Sequence, residues 1–254
     1  MNVYTFYEPI SSWDYDRSLV DLWVDNWSDK GFNPIVLSLQ DSKSHEYYSV
    51  FSKTLHEFYY KMTSKKIIDE KLTWSYYIYY TYVRFLSYAT LDTDNPIMIM
   101  DYDVYNVNLQ NDQVSEIPEN ICFYFSSCPC FLTGSPLSFE NMCRMFAFVM
   151  KNHADLLWKE YQSSPYSNRR VLHDMALIHC LKYSQNKILN DTLIENKISF
   201  SNKDKISKHL FHASNSTVRD YSNHNLIDMS NISHEERINI RIRCAKEKIN
   251  NANI

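Results

Sequence analysis

The chain is 254 residues long and 44% hydrophobic, enough to bury a substantial core as one large α/β domain or two small ones. Its formal net charge of −4 gives no electrostatic footprint for nucleic acid or for an anionic membrane face, which sets both aside as partners. Only two glycines are present, which excludes the Walker A loop and the dinucleotide fingerprint, so any phosphate must be held by a metal or by side chains.

The opening residues Met1 to Pro9 hold no basic region followed by a long apolar run. No signal peptide, membrane anchor or stable membrane insertion is expected, and the expected location is cytoplasmic. Val3 to Tyr7 reads as a first strand, stopped by Glu8-Pro9. A helix follows, capped by Asp16 or Ser18, with Leu19, Leu22, Trp23, Asn26 and Trp27 on one face and Gly31 where a left-handed C-terminal residue is wanted. Asn33 to Leu39 is the next buried strand, which makes the start β-α-β, the unit of a parallel sheet. Helical spacing recurs over Ser44 to Tyr60, Lys65-Lys66 marks a loop, and Thr73 to Thr90 is the clearest helix of the first half. Asp92 to Pro96 breaks it and leads into a third strand, Ile97 to Met100.

Gln110 to Asn120 reads as a surface connection, and Ile121–Phe125 and Phe131–Thr133 as short strands. A helix over Ser138 to Tyr161 is capped by Ser138. Ser163 to Asn168 is a loop, Val171 to Tyr183 is helical, and a charged amphipathic helix begins near Ser233. The organisation expected is a catalytic domain over 1–232 and a helical tail over 233–254. The six irregularly spaced cysteines look like reduced thiols; Cys128-Pro-Cys130 is the only tight pair and lacks the second Cys/His pair of a zinc knuckle.

The stretch Ile-Met-Ile-Met followed by Asp101 and Asp103 carries the chemistry. Asp-x-Asp occurs three times, but Asp14/Asp16 falls in a loop and cap and Asp92/Asp94 in a turn before Pro96. Only Asp101/Asp103 ends a buried strand. Carboxylates there face a desolvation cost of several kcal/mol unless a cation compensates them, and two hard oxygen donors suit Mg²⁺ or Mn²⁺ against a phosphate. The alternative is that both are solvated strand-end residues or bonded to helix N-termini.

Thr5-Phe-Tyr-Glu-Pro9, Leu22-Trp23 with Trp27 and Gly31-Phe-Asn-Pro-Ile-Val-Leu37, Arg84-Phe-Leu-Ser-Tyr88 and Met100-Asp-Tyr-Asp-Val104 together resemble the nucleotide-sugar-dependent glycosyltransferases with a GT-A fold and a DXD motif. The resemblance covers Met1 to Leu109 and extends loosely beyond. It implies a GT-A-like, Rossmann-like α/β fold with a mixed, mainly parallel sheet flanked by helices and a helical C-terminal extension. It implies Mn²⁺ or Mg²⁺ as cofactor, a nucleotide-sugar donor, and a glycan or other hydroxyl acceptor. On that basis Arg84 stands near the donor diphosphate, Asp101 approaches the donor's ribose or sugar, and Asp103 binds the divalent ion.

The family's usual Gly-Gly pair before the strand is replaced here by Leu91-Asp-Thr-Asp-Asn95. Asp174, in His173-Asp174-Met-Ala-Leu, either orients or deprotonates the acceptor hydroxyl or partners a helix N-terminus. His212 is a further metal ligand or a structural histidine. Gly134 and Ser135 line the sugar pocket or form a simple turn before a helix. Tyr7 and Trp13, beside the first strand end, are the candidates to meet the nucleobase. Two rival functions stand beside this one. A haloacid-dehalogenase-type phosphatase also puts Asp-x-Asp after a strand, but Tyr105 holds the place of its Thr or Val; the other rival is a transferase-like binding module without activity.

Overall fold

Strand β1 (Asn2–Phe6) lies at the heart of the sheet, parallel to β2 (Asn33–Leu37) on one side and to β3 (Ile97–Met100) on the other. This is a computed structural model, and it describes residues 1–10, 16–63, 73–114, 117–126, 128–167, 172–201, 206–225 and 227–252. Strand β6 (Cys128–Gly134) runs antiparallel to both β3 and β5 (Cys122–Phe125), and β7 (Ser199–Phe200) is parallel to β5, giving the order β2-β1-β3-β6-β5-β7. Every strand of this sheet except β6 therefore points the same way, and their carboxyl ends share one edge. The expectation of a mixed, mostly parallel sheet flanked by helices holds.

The four residues of β3 are all buried and alternate between two cores. Ile97 and Ile99 join Tyr4 and Phe6 against α3 (Tyr48–Thr63), α4 (Thr73–Ala89) and α5 (Pro136–Asn152). Met98 and Met100 join Val3, Trp23 and Trp27 on the opposite face, under α1 (Arg17–Asp29). Burying a side chain of this size contributes roughly 1.5–3 kcal/mol, so both faces anchor β3 and fix where Asp101 emerges.

Several boundaries differ from the sequence expectation, each for a local reason. Strand β2 ends at Leu37 because Ser38 and Asp41 form a capping box that starts a short helix, α2 (Leu39–Ser44). Helix α5 starts earlier than expected, capped by Ser135 with Pro136 in its first turn, and stops at Asn152; His153 separates it from α6 (Ala154–Gln162). Gly31 has the left-handed φ of 79° expected after α1. Lys65-Lys66, Trp13 and Asp14 lie outside the described residues.

Helix α7 (Asp174–Tyr183) packs near α4, and α8 (Lys187–Glu195) follows it. A two-stranded ribbon pairs β4 (Val104–Asn106) with β8 (Leu210–His212), both short, followed by α9 (Asn215–His224) and α10 (His234–Asn251). Helix α10 packs on the second core. Ile238 and Ala245 are buried in the second core, and the helix touches α1, β4 and β8. Among the described residues no helix is long and apolar enough to cross a membrane.

Candidate functional site

Past Met100 the chain turns sharply. The Asp101 amide donates to the Cys130 carbonyl at 2.9 Å, and the Val104 amide donates back to the Asp101 carbonyl at 2.9 Å, closing a turn over Asp101-Tyr102-Asp103-Val104. Helix α1 clamps the outgoing strand: Asn26 exchanges two hydrogen bonds with the Asn106 backbone, at 2.9 and 2.6 Å, and the Trp27 indole donates to the Val104 carbonyl. The turn is thus held from both sides at the carboxyl edge of the sheet, where open α/β sheets bind ligands.

Arg84 and Asp174 converge on Asp101. Arg84 places Nη1 2.5 Å from Asp101 Oδ1 and Nη2 2.8 Å from Asp174 Oδ2, so one guanidinium bridges two carboxylates from a strand end and a helix start. Asp174 opens α7 behind the N-cap His173, whose Nδ1 accepts from the Ala176 amide. Burial raises the Asp174 pKa, but Arg84, His173 and the Met175 amide outweigh it and hold the carboxyl below its ordinary value. At Asp101 the balance goes the other way: burial and the nearby Asp103 charge outweigh Arg84, and the pKa is raised. Asp174 is only 5% exposed and Asp101 is 28% exposed, so Asp101 is the member of this trio that meets solvent.

His212 faces Asp103. The ribbon pairs Val104 with His212, and the Ala213 amide donates to the Asp103 carbonyl at 2.8 Å, which sets His212 Nε2 3.4 Å from Asp103 Oδ1. His212 emerges from a half-buried ribbon strand instead of a core strand. On the far side of Asp103, Arg241 of α10 brings Nη2 to 2.5 Å from Oδ2. Burial alone would raise the Asp103 pKa, yet His212 and Arg241 bring it down to about 2. Burial would lower that of His212, yet Asp103 raises it to about 9, so the imidazole is charged at neutral pH.

Two residues outside the expected set complete the cluster. Asp16 makes no side-chain cap to α1; its Oδ2 accepts from the Tyr102 hydroxyl at 3.0 Å and its Oδ1 lies 3.4 Å from His234 Nε2 at the start of α10. Arg241 and Asp16 are not distinguishable as site residues in the sequence, because each looks like an ordinary helix residue until the fold brings it 138 or 86 positions along the chain to its partner. Tyr7 lies at this edge as well, its ring edge-on to Tyr102 at 5.6 Å.

Gly134 and Ser135 are elsewhere. Gly134 pairs with Ile97, at the amino end of β3, so the length of the strand separates it from Asp101. Ser135 caps α5, its Oγ accepting from the Ser138 amide. The glycine permits close packing: a Cβ there would sit 2.7 Å from Ser138 Oγ and 2.9 Å from Ile121 Cδ1, and those side chains would have to shift. Of the sequence candidates, Tyr7, Arg84, Asp101, Asp103, Asp174 and His212 come together, Gly134 and Ser135 do not, and Trp13 lies outside the described residues.

Arg84, Arg241 and His212 compensate the two carboxylates, so their burial does not by itself require a metal. Among the described residues no group of three or more His, Cys, Asp or Glu side chains is arranged to hold a metal. The donor chemistry nevertheless fits a divalent ion shared with a ligand: Asp103 Oδ1 is buried, lacks a hydrogen-bond partner and faces an imidazole nitrogen. Asp103 Oδ1 and, once its proton is lost, His212 Nε2 make one oxygen and one nitrogen donor, a pair of the kind Mn²⁺ accepts. Comparison with protein-family models, with curated proteins and with solved structures finds no match to this chain.

Proposed function

We propose that the chain is a metal-dependent glycosyltransferase of the GT-A type, moving a sugar from a nucleotide-sugar donor to a hydroxyl of a glycan or other acceptor. One observation carries the reading. Arg84, Asp101, Asp103 and His212, which the family resemblance marks as one site, lie in contact at the carboxyl edge of a mostly parallel sheet.

Asp103 and His212 are the residues to hold Mn²⁺ or Mg²⁺, with Asp101 beside them; the ion supplies Lewis-acid neutralisation of the departing nucleoside diphosphate. His212 must lose its proton to serve as a ligand, so ion and proton compete for it. Arg84 offers a fixed positive charge near the phosphates, aimed by Asp101 and Asp174 and therefore preorganised. Asp174 is a positioning residue in this scheme. A carboxylate that is 5% exposed, ion-paired and held below its ordinary pKa is a poor base for a sugar hydroxyl.

A second reading, a binding module without activity, draws on the balance of the Asp103 charge by Arg241 and His212, which leaves no net charge demanding an ion. A thermal-shift screen of nucleoside diphosphates and their sugars, with and without Mn²⁺, tests the proposal. Stabilisation follows RT ln(1 + [L]/Kd), and a melting temperature that no nucleotide moves in a metal-dependent way would refute it. Metal-dependent hydrolysis of the donor then separates an active transferase from an inactive module.

A further inference from the structure

The one tight cysteine pair plays no part in that proposal, yet it borders the same edge. Cys128 opens β6 partly exposed, and Cys130 is fully buried two residues on. Alternation along the strand turns both side chains to the same side, into the second core. Cα atoms two residues apart in a strand lie about 6.6 Å from each other, within the range a disulfide spans, but the parallel Cβ atoms lie about as far apart and must approach to about 4 Å, so the bond closes only if the start of β6 leaves the extended conformation. Strand β5 has a register irregularity between Phe123 and Phe125, and Phe125 is the residue paired with Cys128, so the regular ladder is already interrupted beside the start of β6.

The pair is also wired to the site. The Cys130 carbonyl accepts the Asp101 amide, and the Phe125 ring packs 6.3 Å from the His212 imidazole. Drawing the Cβ atoms of Cys128 and Cys130 together by the ~2–3 Å that a disulfide requires would pull on the backbone to which Asp101 is bonded.

We propose that Cys128 and Cys130 are a reversible redox site, closed to a disulfide by a peroxide oxidant and loosening the backbone that carries Asp101. The Cys128 sulfur attacks one peroxide oxygen, the O–O bond breaks, and Cys128 becomes a sulfenic acid with release of one water. The Cys130 sulfur then attacks the Cys128 sulfur, the S–S bond forms, and the sulfenic oxygen leaves with the Cys130 proton as a second water. Two thiols are oxidised and one peroxide is reduced. Exposure sets the order, since Cys128 meets the oxidant and the sheltered Cys130 resolves it. A disulfide closed against strand geometry is readily reduced, which makes the site reversible.

The test is native treatment of the full chain with hydrogen peroxide, then alkylation, digestion and mass mapping, with amide hydrogen exchange run in parallel. The expected product is a Cys128–Cys130 peptide two hydrogens lighter, refractory to alkylation and restored by dithiothreitol. Exchange at the Asp101 amide rises about tenfold on oxidation and falls back on reduction. Cys128→Ser and Cys130→Ser each abolish the crosslink, whereas Cys244→Ser, removing the other partly exposed thiol, leaves it. A pair that stays alkylatable, a sulfinic acid on Cys128, or a crosslink that leaves the Asp101 amide unmoved would overturn the proposal. Neither readout involves a nucleotide, a sugar or a metal, so the result does not depend on the proposed transferase activity.

Discussion

Arg241 reaches from the C-terminal helix to place Nη2 2.5 Å from Oδ2 of Asp103, the carboxylate at the centre of the candidate site. Both side chains are nearly buried, at 11% and 13% exposure, so the pair is one whose disruption strands a charge. Arg241→Ala is expected to cost about 3 kcal/mol in urea unfolding, since Asp103 keeps only His212. The double variant Arg241→Met with Asp103→Asn should be more stable than Arg241→Met alone, because it removes the charge as well as its partner. A double-mutant cycle with no coupling would show that the pair does not act as a unit.

The Asp103–His212 contact gives stability a defined pH window. The folded pKa of His212 is raised to about 9, so its contribution is full below the unfolded value of 6.5 and is lost as pH rises through 9. The folded pKa of Asp103 is lowered to about 2, so its contribution is full above 3.8 and is lost as pH falls toward 2. The unfolding free energy from urea titration is expected to plateau between pH 3.8 and 6.5 and to decline on the alkaline side by about 3 kcal/mol. His212→Gln should flatten that alkaline decline; an unchanged alkaline limb in the variant would assign the titration elsewhere.

Asp174 offers a sharper distinction between positioning and general-base roles. Through Arg84 it is expected to influence phosphate binding, so Asp174→Asn should weaken the Mn²⁺-dependent affinity for a nucleoside diphosphate about tenfold, seen as a smaller thermal shift. Stability should fall by roughly 1–3 kcal/mol, because Arg84 loses one of its two carboxylates while its Nε already lacks a hydrogen-bond partner. A general base behaves otherwise: its loss removes sugar transfer while nucleotide binding stays as it was. Isothermal titration beside the transfer rate separates the two.

What can be read from the sequence is local. Ile97 to Met100 announces a buried strand by its run of apolar residues, and Asp101 and Asp103 announce its end, because these signals lie within a few positions of one another. Gly31 is equally legible, since only its φ of 79° needs a glycine. Charge compensation is not legible. Nothing near Arg241 or Asp16 indicates that they face Asp103 and Tyr102, as such pairings exist only once the second core has packed α10 against α1 and the ribbon. A metal inferred from the cost of burying two carboxylates therefore overlooks cations that the chain supplies itself. Gly134 follows the second of its two readings, the one that leads into a helix: its close approach is to Ser138 and Ile121.

That packing role makes Gly134→Ala a clean control. The added methyl would lie 2.9 Å from Ile121 Cδ1 and 2.7 Å from Ser138 Oγ, so those side chains must shift, at a cost of about 1–3 kcal/mol. Because Gly134 lies at the amino end of β3, metal-dependent nucleotide affinity is expected to stay within about twofold of wild type once folding is corrected for. A selective loss of nucleotide binding, with stability unchanged, would return Gly134 to the pocket.

Removing residues 233–254 separates an appended tail from an integral helix. A tail that only touched the domain could be deleted with a change in Tm of about 2 °C or less. Here deletion strips Arg241 from Asp103 and His234 from Asp16, and it uncovers the face that Ile238 and Ala245 bury. The stranded Asp103 alone costs about 3 kcal/mol, and the lost Ile238 side chain adds roughly 1.5–3 kcal/mol. At about 2–4 °C per kcal/mol for a chain of this size, the truncated protein is expected to melt roughly 10 °C or more below the full chain, or to fail to fold. Asp103→Asn in the truncated background should recover part of the deficit, because it neutralises the charge that Arg241 no longer balances. Recovery of none of it would mean that the helix acts through apolar burial alone and that the Arg241–Asp103 pair contributes nothing to holding it in place.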